Sequence, residues 1–270
     1  MFISEFCCIF MNIVLDMRSL FSQLFGKGNK EATNAFRPAS EQNDNTKTVT
    51  QLIADEEVVF SYLGFEDLKH NAKYDRFEAG RVILPTGAVV CTDPMYREIA
   101  LPQSWTAKEG AYPVYLYIEL NGDSAGRIAY AELIFIDEIP KYWEISLIPD
   151  QLLNDAFEKK MNGMYPVENG LSCFADYETF KIYEKEIQDF YNRDKDANFY
   201  NDVLEKYFKE NVNIPSSSRG EDWANYKPAN ARGNLIMFAS GWGDGLYPRY
   251  IGYDSAGNVV KMITDFKREE

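Results

Sequence analysis

A chain of 270 residues, 46% of them apolar and with 18 Phe, 18 Tyr and 4 Trp, can bury a sizeable core, which excludes disorder for its body. Its 28 Lys and Arg face 42 Asp and Glu, and the net charge of −14 repels phosphate backbones and anionic membrane surfaces, so neither nucleic acid nor a membrane is an expected partner. A single histidine, His70, and four cysteines without metal or disulfide spacing (Cys7, Cys8, Cys91, Cys173) exclude paired-histidine chemistry, a zinc site and a disulfide scaffold.

Residues 1–50 read differently from the rest. Residues 1–15 are apolar, but Glu5 and the lack of a basic start do not make a signal peptide, and Met17 offers an alternative start to Met1. Residues 27–50, rich in Asn, Thr, Ser, Glu and Lys, read as a flexible linker. Residues 51–270 are then expected to form a single α+β domain.

Leu52, Ile53, Val59, Phe60 and Leu63 recur at helical spacing and predict a first helix. Polar residues follow as far as Gly80. Arg81 to Leu84 and Ala88 to Cys91 then read as two short strands joined by a turn at Pro85-Thr-Gly87, with Asp93-Pro94 ending the second. Residues 112–120 alternate, with Val114, Leu116, Ile118 and Leu120 on one face and Tyr115, Tyr117 and Glu119 on the other; residues 121–126 supply a turn, and residues 127–136 return as the partner strand. Residues 142–148 add a further strand. Asp150 is placed to cap a helix carrying Leu152, Leu153, Ala156, Phe157 and Met161, closed by Gly163.

Two amphipathic helices follow, one on Phe180, Tyr183, Ile187 and Phe190, the other on Val203, Leu204, Tyr207 and Phe208. Their aromatic stripes read as packing against a sheet. After a polar loop, Leu235-Ile-Met-Phe238 reads as a buried strand, and residues 247–254 and 258–264 as two more. The expected fold is α+β, with antiparallel sheet(s) and three or more covering helices.

The chemistry concentrates in Ser240-Gly-Trp-Gly-Asp-Gly-Leu-Tyr-Pro248. Three glycines within five residues lose conformational entropy that an ordinary connection need not lose, so something approaches that backbone closely. Asp244 would point into a cleft, with Trp242 and Tyr247 as stacking surfaces and Gly243 and Gly245 presenting open amides. The competing reading is a tight turn in which Asp244 accepts local backbone hydrogen bonds. The segment is neither a phosphate loop nor a calcium loop, since no GxxxxGK[ST] order and no EF-hand spacing is present.

Asp93 stands where a strand ends, either as a site residue or in an Asx turn into Pro94. Arg127 would need Asp93, Asp176 or Glu132 as partner if buried. No GxSxG elbow frames a serine, which sets a serine hydrolase aside. Asp93, Asp176 and Asp244 are the carboxylates from which an acid and base pair, or ligands for a divalent metal, would be drawn.

Gly80, Leu84-Pro-Thr-Gly87, Asp93-Pro94, Gly110-Ala-Tyr-Pro-Val114, Arg127-Ile-Ala129, Gly170, Phe174, Asp176, the 240–248 segment and Thr264-Asp-Phe266 together, in that order, make the chain resemble domain-of-unknown-function family 4241. The resemblance implies a bacterial cytosolic protein, similar in habit to immunity proteins that guard against contact-delivered toxins. The family pattern has an aspartate near Glu168, whose longer side chain would displace a shared ligand or base.

Two functions are therefore weighed. One is a binding protein that neutralises a basic partner, such as a toxin domain. The alternative is a carboxylate-based or metal-assisted hydrolase using Asp93, Asp176 and Asp244, with Arg127 stabilising an anion. A divalent metal stays open as a cofactor.

Overall fold

A computed structural model describes residue 65 and residues 68–96, 100–153 and 156–267. The leader, the linker and the first helix expected from the sequence lie outside the described residues. Eleven strands are described: β1 (Tyr74–Leu84), β2 (Val89–Thr92), β3 (Gly110–Glu119), β4 (Ile128–Ile134), β5 (Tyr142–Ile145), β6 (Met164–Val167), β7 (Leu171–Asp176), β8 (Trp223–Tyr226), β9 (Leu235–Ala239), β10 (Gly245–Tyr253) and β11 (Val259–Asp265). They form two wholly antiparallel sheets. The larger, of seven strands, runs β1-β3-β4-β11-β10-β5, with β6 pairing the start of β10; the smaller, of four, runs β2-β7-β9-β8.

The sheets stack face to face. Alternate residues of the small sheet point into the space between them: Val89, Cys91, Phe174, Ile236 and Phe238 meet Val82, Leu116, Leu133 and Met262 of the large sheet. The other alternates, Val90, Cys173, Ala175, Leu235 and Met237, face a helical layer. Burial on both faces explains why β7 and β9 are buried at every position and why β9 reads as an unbroken apolar run.

That helical layer consists of α2 (Tyr177–Arg193) with Phe180, Tyr183 and Ile187, and of a π-turn at Tyr200–Leu204 running into α3 (Glu205–Glu210) with Phe208. Here the aromatic stripes do pack onto a sheet. The helix expected at residues 150–163 is reduced to a 3-10 turn at Asp150–Leu152, where Asp150 lies inside the turn and Pro149 holds the cap position, and to the five-residue α1 (Ala156–Lys160). The fold is thus sheet-dominated, and among the described residues α2 and the 200–210 stretch do the covering, not three or more helices.

The β3–β4 hairpin is present as expected. The strands flanking Pro85 are also present but do not pair with each other: β1 belongs to the large sheet and β2 to the small one. Gly87 turns the chain between layers at φ +74°, and a Cβ there would lie 1.9 Å from the Ala107 carbonyl oxygen, so only glycine fits. β1 also extends back to Tyr74 across a stretch too polar to read as a strand, because it is an edge strand with one face largely open.

The outer face of the large sheet carries buried polar groups. Glu132 accepts from Lys261 at 2.9 Å and from the Tyr117 hydroxyl at 2.6 Å, and Arg76 donates to that hydroxyl at 3.0 Å while lying over the Tyr115 ring. This pairing satisfies a carboxylate that would otherwise be costly to bury. Among the described residues no helix is long and apolar enough to cross a membrane.

Candidate functional site

Four connections meet at one end of the sandwich: residues 121–127, 168–170, 215–222 and 240–244. The glycine-rich segment lies among them. Gly241, at φ +63°, passes so close to β4 that a Cβ would stand 2.2 Å from the Ile128 carbonyl oxygen. This is the close backbone approach that the glycine spacing predicts. The Gly243 carbonyl then accepts from the Ser240 hydroxyl at 2.7 Å and from the Tyr247 hydroxyl at 2.9 Å. Arg127 donates to the Gly241 carbonyl at 2.9 Å and lies 4.3 Å from the centre of the Trp242 ring, a cation–π contact. Arg127 therefore meets a carbonyl and an indole, and none of the carboxylates considered for it from the sequence.

Asp244 is exposed, and one of its oxygens accepts from the Gly170 amide at 3.2 Å. Asp93 grips the same turn from the buried side. One of its oxygens accepts from the Met95 amide at 2.8 Å; the other accepts from the Glu168 amide at 2.9 Å, the Asn169 amide at 3.0 Å and the Asn169 side chain at 3.1 Å. Burial pushes the Asp93 carboxyl above its usual range, and these donors pull it back. Two aspartates distant in sequence thus fasten residues 168–170, and Glu168 contributes its backbone amide to the arrangement.

Asp176 does not join them. Val89 pairs with Asp176 and Thr92 with Cys173, so Asp176 lies at the far end of the β2–β7 ladder from Asp93, about 13 Å away at the usual rise per residue. There it caps α2, accepting from the Glu178 amide at 3.1 Å, while its other oxygen accepts from the Thr86 amide and hydroxyl, both at 2.8 Å. The acid-and-base trio is thereby divided between two ends of a strand, with Asp93 and Asp176 both buried and occupied.

Of the residues expected to bind a ligand, Tyr247 is buried, its ring 4.9 Å from that of Phe266. Gly245 lies beneath the Tyr247 ring, and Trp242 is half-buried. Gly243, at φ +86°, has open space where a Cβ would be. Cys91 and Cys173 are buried in the core, and burial pushes the Cys91 thiol up to about 11, which denies it thiolate character at neutral pH. Among the described residues no group of three or more His, Cys, Asp and Glu side chains is placed to hold a metal ion. His70 is exposed.

The structure also places charged groups that the sequence did not mark. Arg249 is buried between the sheets, donates to the Met164 carbonyl at 3.0 Å and stands 5.5 Å from the Tyr165 ring centre. Asp222 is only 3% exposed and its Oδ2 has no hydrogen-bond partner among the described residues; it follows Gly220 and Glu221, both at positive φ. Glu144 on β5 is half-buried, and no donor or cation reaches it among the described residues. No local motif announces any of the three, because each is defined by what packs around it.

These features define an antiparallel two-sheet protein with a helical cover, whose 168–170 turn is held by two aspartates, Asp93 after β2 and Asp244 from the glycine-rich loop. Residues 82–264, more than half of the chain, match the family model described as protein of unknown function (DUF4241), and the chain belongs to that family. No curated protein and no solved structure matches it.

Proposed function

We propose that this chain is a binding protein of the immunity type, acting in the cytosol by neutralising a basic protein partner such as a toxin domain. The observation that carries this reading is the occupation of Asp93 by four N–H donors. A general base needs a lone pair free to take a proton, and this carboxylate has none pointing to an open surface. The division of Asp93 from Asp176 and the inaccessibility of both described thiols weigh in the same direction. The charge of −14 favours a cationic partner, steering its approach at long range, over nucleic acid.

The test is protection. Co-expressed with any toxin-domain protein encoded beside it, the chain should restore growth and co-purify with that protein. Failure to protect against any such neighbour overturns the reading. A hydrolase reading has weaker support, since it requires Asp244 to work without Asp93 or Asp176 beside it.

A further inference from the structure

At the end of β10 remote from the glycine loop, the surface differs in kind. The connection between β4 and β5 is firmly held: the Phe135 and Ile136 amides both donate to the Val260 carbonyl, at 2.9 and 3.0 Å, and the Lys141 amide donates to the Tyr253 carbonyl at 2.7 Å. Pro140 packs so closely on Gly252 that a Cβ there would lie 2.6 Å from its ring. Ile136 and Ile139 are nevertheless 38% and 60% exposed. Their exposure is imposed by a fixed loop.

Beside them, Tyr142 faces Tyr253 across the β5–β10 ladder, and the rings stack 5.0 Å apart with 18° between their planes. Tyr142 itself is 42% exposed. Glu144 follows two residues later on the same face of the edge strand. Other shielded glutamates have partners: Glu132 has Lys261 and Tyr117, Glu184 has Lys181, and Glu186 has Tyr226. Glu144 has none among the described residues, and burial alone raises its pKa. The Asp254 carboxylate, held by the Ala256 and Asn258 amides in the next turn, adds a second negative charge.

We propose that the stacked Tyr142 and Tyr253 and the unpaired Glu144 seat a lysine or arginine side chain of the partner protein, with the exposed isoleucines of the neighbouring loop at the rim of the contact. The proposal rests on the reading above and locates its contact. A purely apolar partner would bury Glu144 without compensation, and an anionic one would be repelled by Glu144 and Asp254. A cationic side chain satisfies both elements at once: its head meets a tyrosine face and its charge pairs with the carboxylate, which lies close enough to both tyrosines to bear on their titration.

The probe is a short labelled peptide alternating arginine with isoleucine, with a glutamate-for-arginine peptide as control, followed by fluorescence anisotropy. The arginine peptide binds and the glutamate peptide does not. Glu144→Gln, which keeps shape and removes charge, weakens binding about tenfold, as does Tyr142→Ala. Glu210→Gln, at an exposed site on α3, leaves it unchanged. Equal weakening by Glu144→Gln and Glu210→Gln, or no binding of the arginine peptide to the wild type, overturns the proposal. If growth protection persists in Glu144→Gln, this surface falls and the neutralising role stands. If peptide binding depends on Glu144 but no neighbouring toxin is countered, the surface stands and the neutralising role falls.

Discussion

β10 joins two ends of the molecule that use their charged groups in opposite ways. At Gly245, the conspicuous sequence is turned inward: Ser240, Arg127 and Tyr247 hydrogen-bond loop carbonyls, and Asp93 and Asp244 accept the amides of residues 168–170. At Tyr253, an unremarkable strand presents a half-buried carboxylate that nothing neutralises among the described residues. Unusual composition marks where a backbone is hard to build, whereas an unmet charge marks where something from outside is wanted. The two need not coincide, and here they lie at opposite ends of one strand.

The largest expected effect comes from breaking the first end. Asp93→Ala leaves four donors without their acceptor and should lower stability by about 3 kcal/mol in urea unfolding. A near-neutral result would mean that the turn holds itself. Asp244→Asn should cost only a small fraction of that, because its carboxylate is exposed and makes one longer bond of 3.2 Å. An equal loss at both positions would erase the distinction between the buried and the exposed grip.

At the other end, Glu144→Gln should leave stability nearly unchanged or slightly raised at neutral pH, since it removes an uncompensated charge. The sign can be followed by titration. Burial holds the folded-state carboxyl above its ordinary 4.5, so the folded chain binds the proton more tightly than the unfolded chain does. The wild type therefore loses stability relative to Glu144→Gln as pH rises through the window above 4.5, and regains it on acidification. Capture of the arginine peptide should weaken over the same window as pH falls, with Tyr142, Tyr253 and Asp254 as the neighbouring groups. A pH-independent difference between the two proteins would deny that Glu144 is shielded. The smallest effect is chemical: native-state alkylation followed by peptide mapping should label neither Cys91 nor Cys173, and rapid labelling of either would reopen nucleophilic chemistry.

Much of the fold was legible. Alternation gave the β3–β4 hairpin, apolar spacing gave α2, and the unbroken run at residues 235–238 gave β9, because each pattern reflects a local rule of burial. Pairing was not legible: nothing in Pro85-Thr-Gly87 says that its flanking strands enter different sheets, since that follows from Gly87 fitting beneath the Ala107 carbonyl. The tight approach at residue 241 was also readable from glycine content. The roles of the aspartates were harder to read, since an Asx turn accounts for the Met95 amide on Asp93 but not for the two amides arriving from residues 168 and 169. Asp176 looked like a site residue, yet it stands directly before α2, a capping position that could have been read from the helix that follows. Glu144 had no signal at all, because its missing partner is a fact of three dimensions.

Hydrogen exchange at the Glu168 and Asn169 amides tests most directly whether the glycine-loop end is a fastening. Both amides should exchange slowly in the wild type and at the rate of a solvated loop in Asp93→Ala. Fast exchange at both positions in the wild type would contradict the account, freeing Asp93 for chemistry.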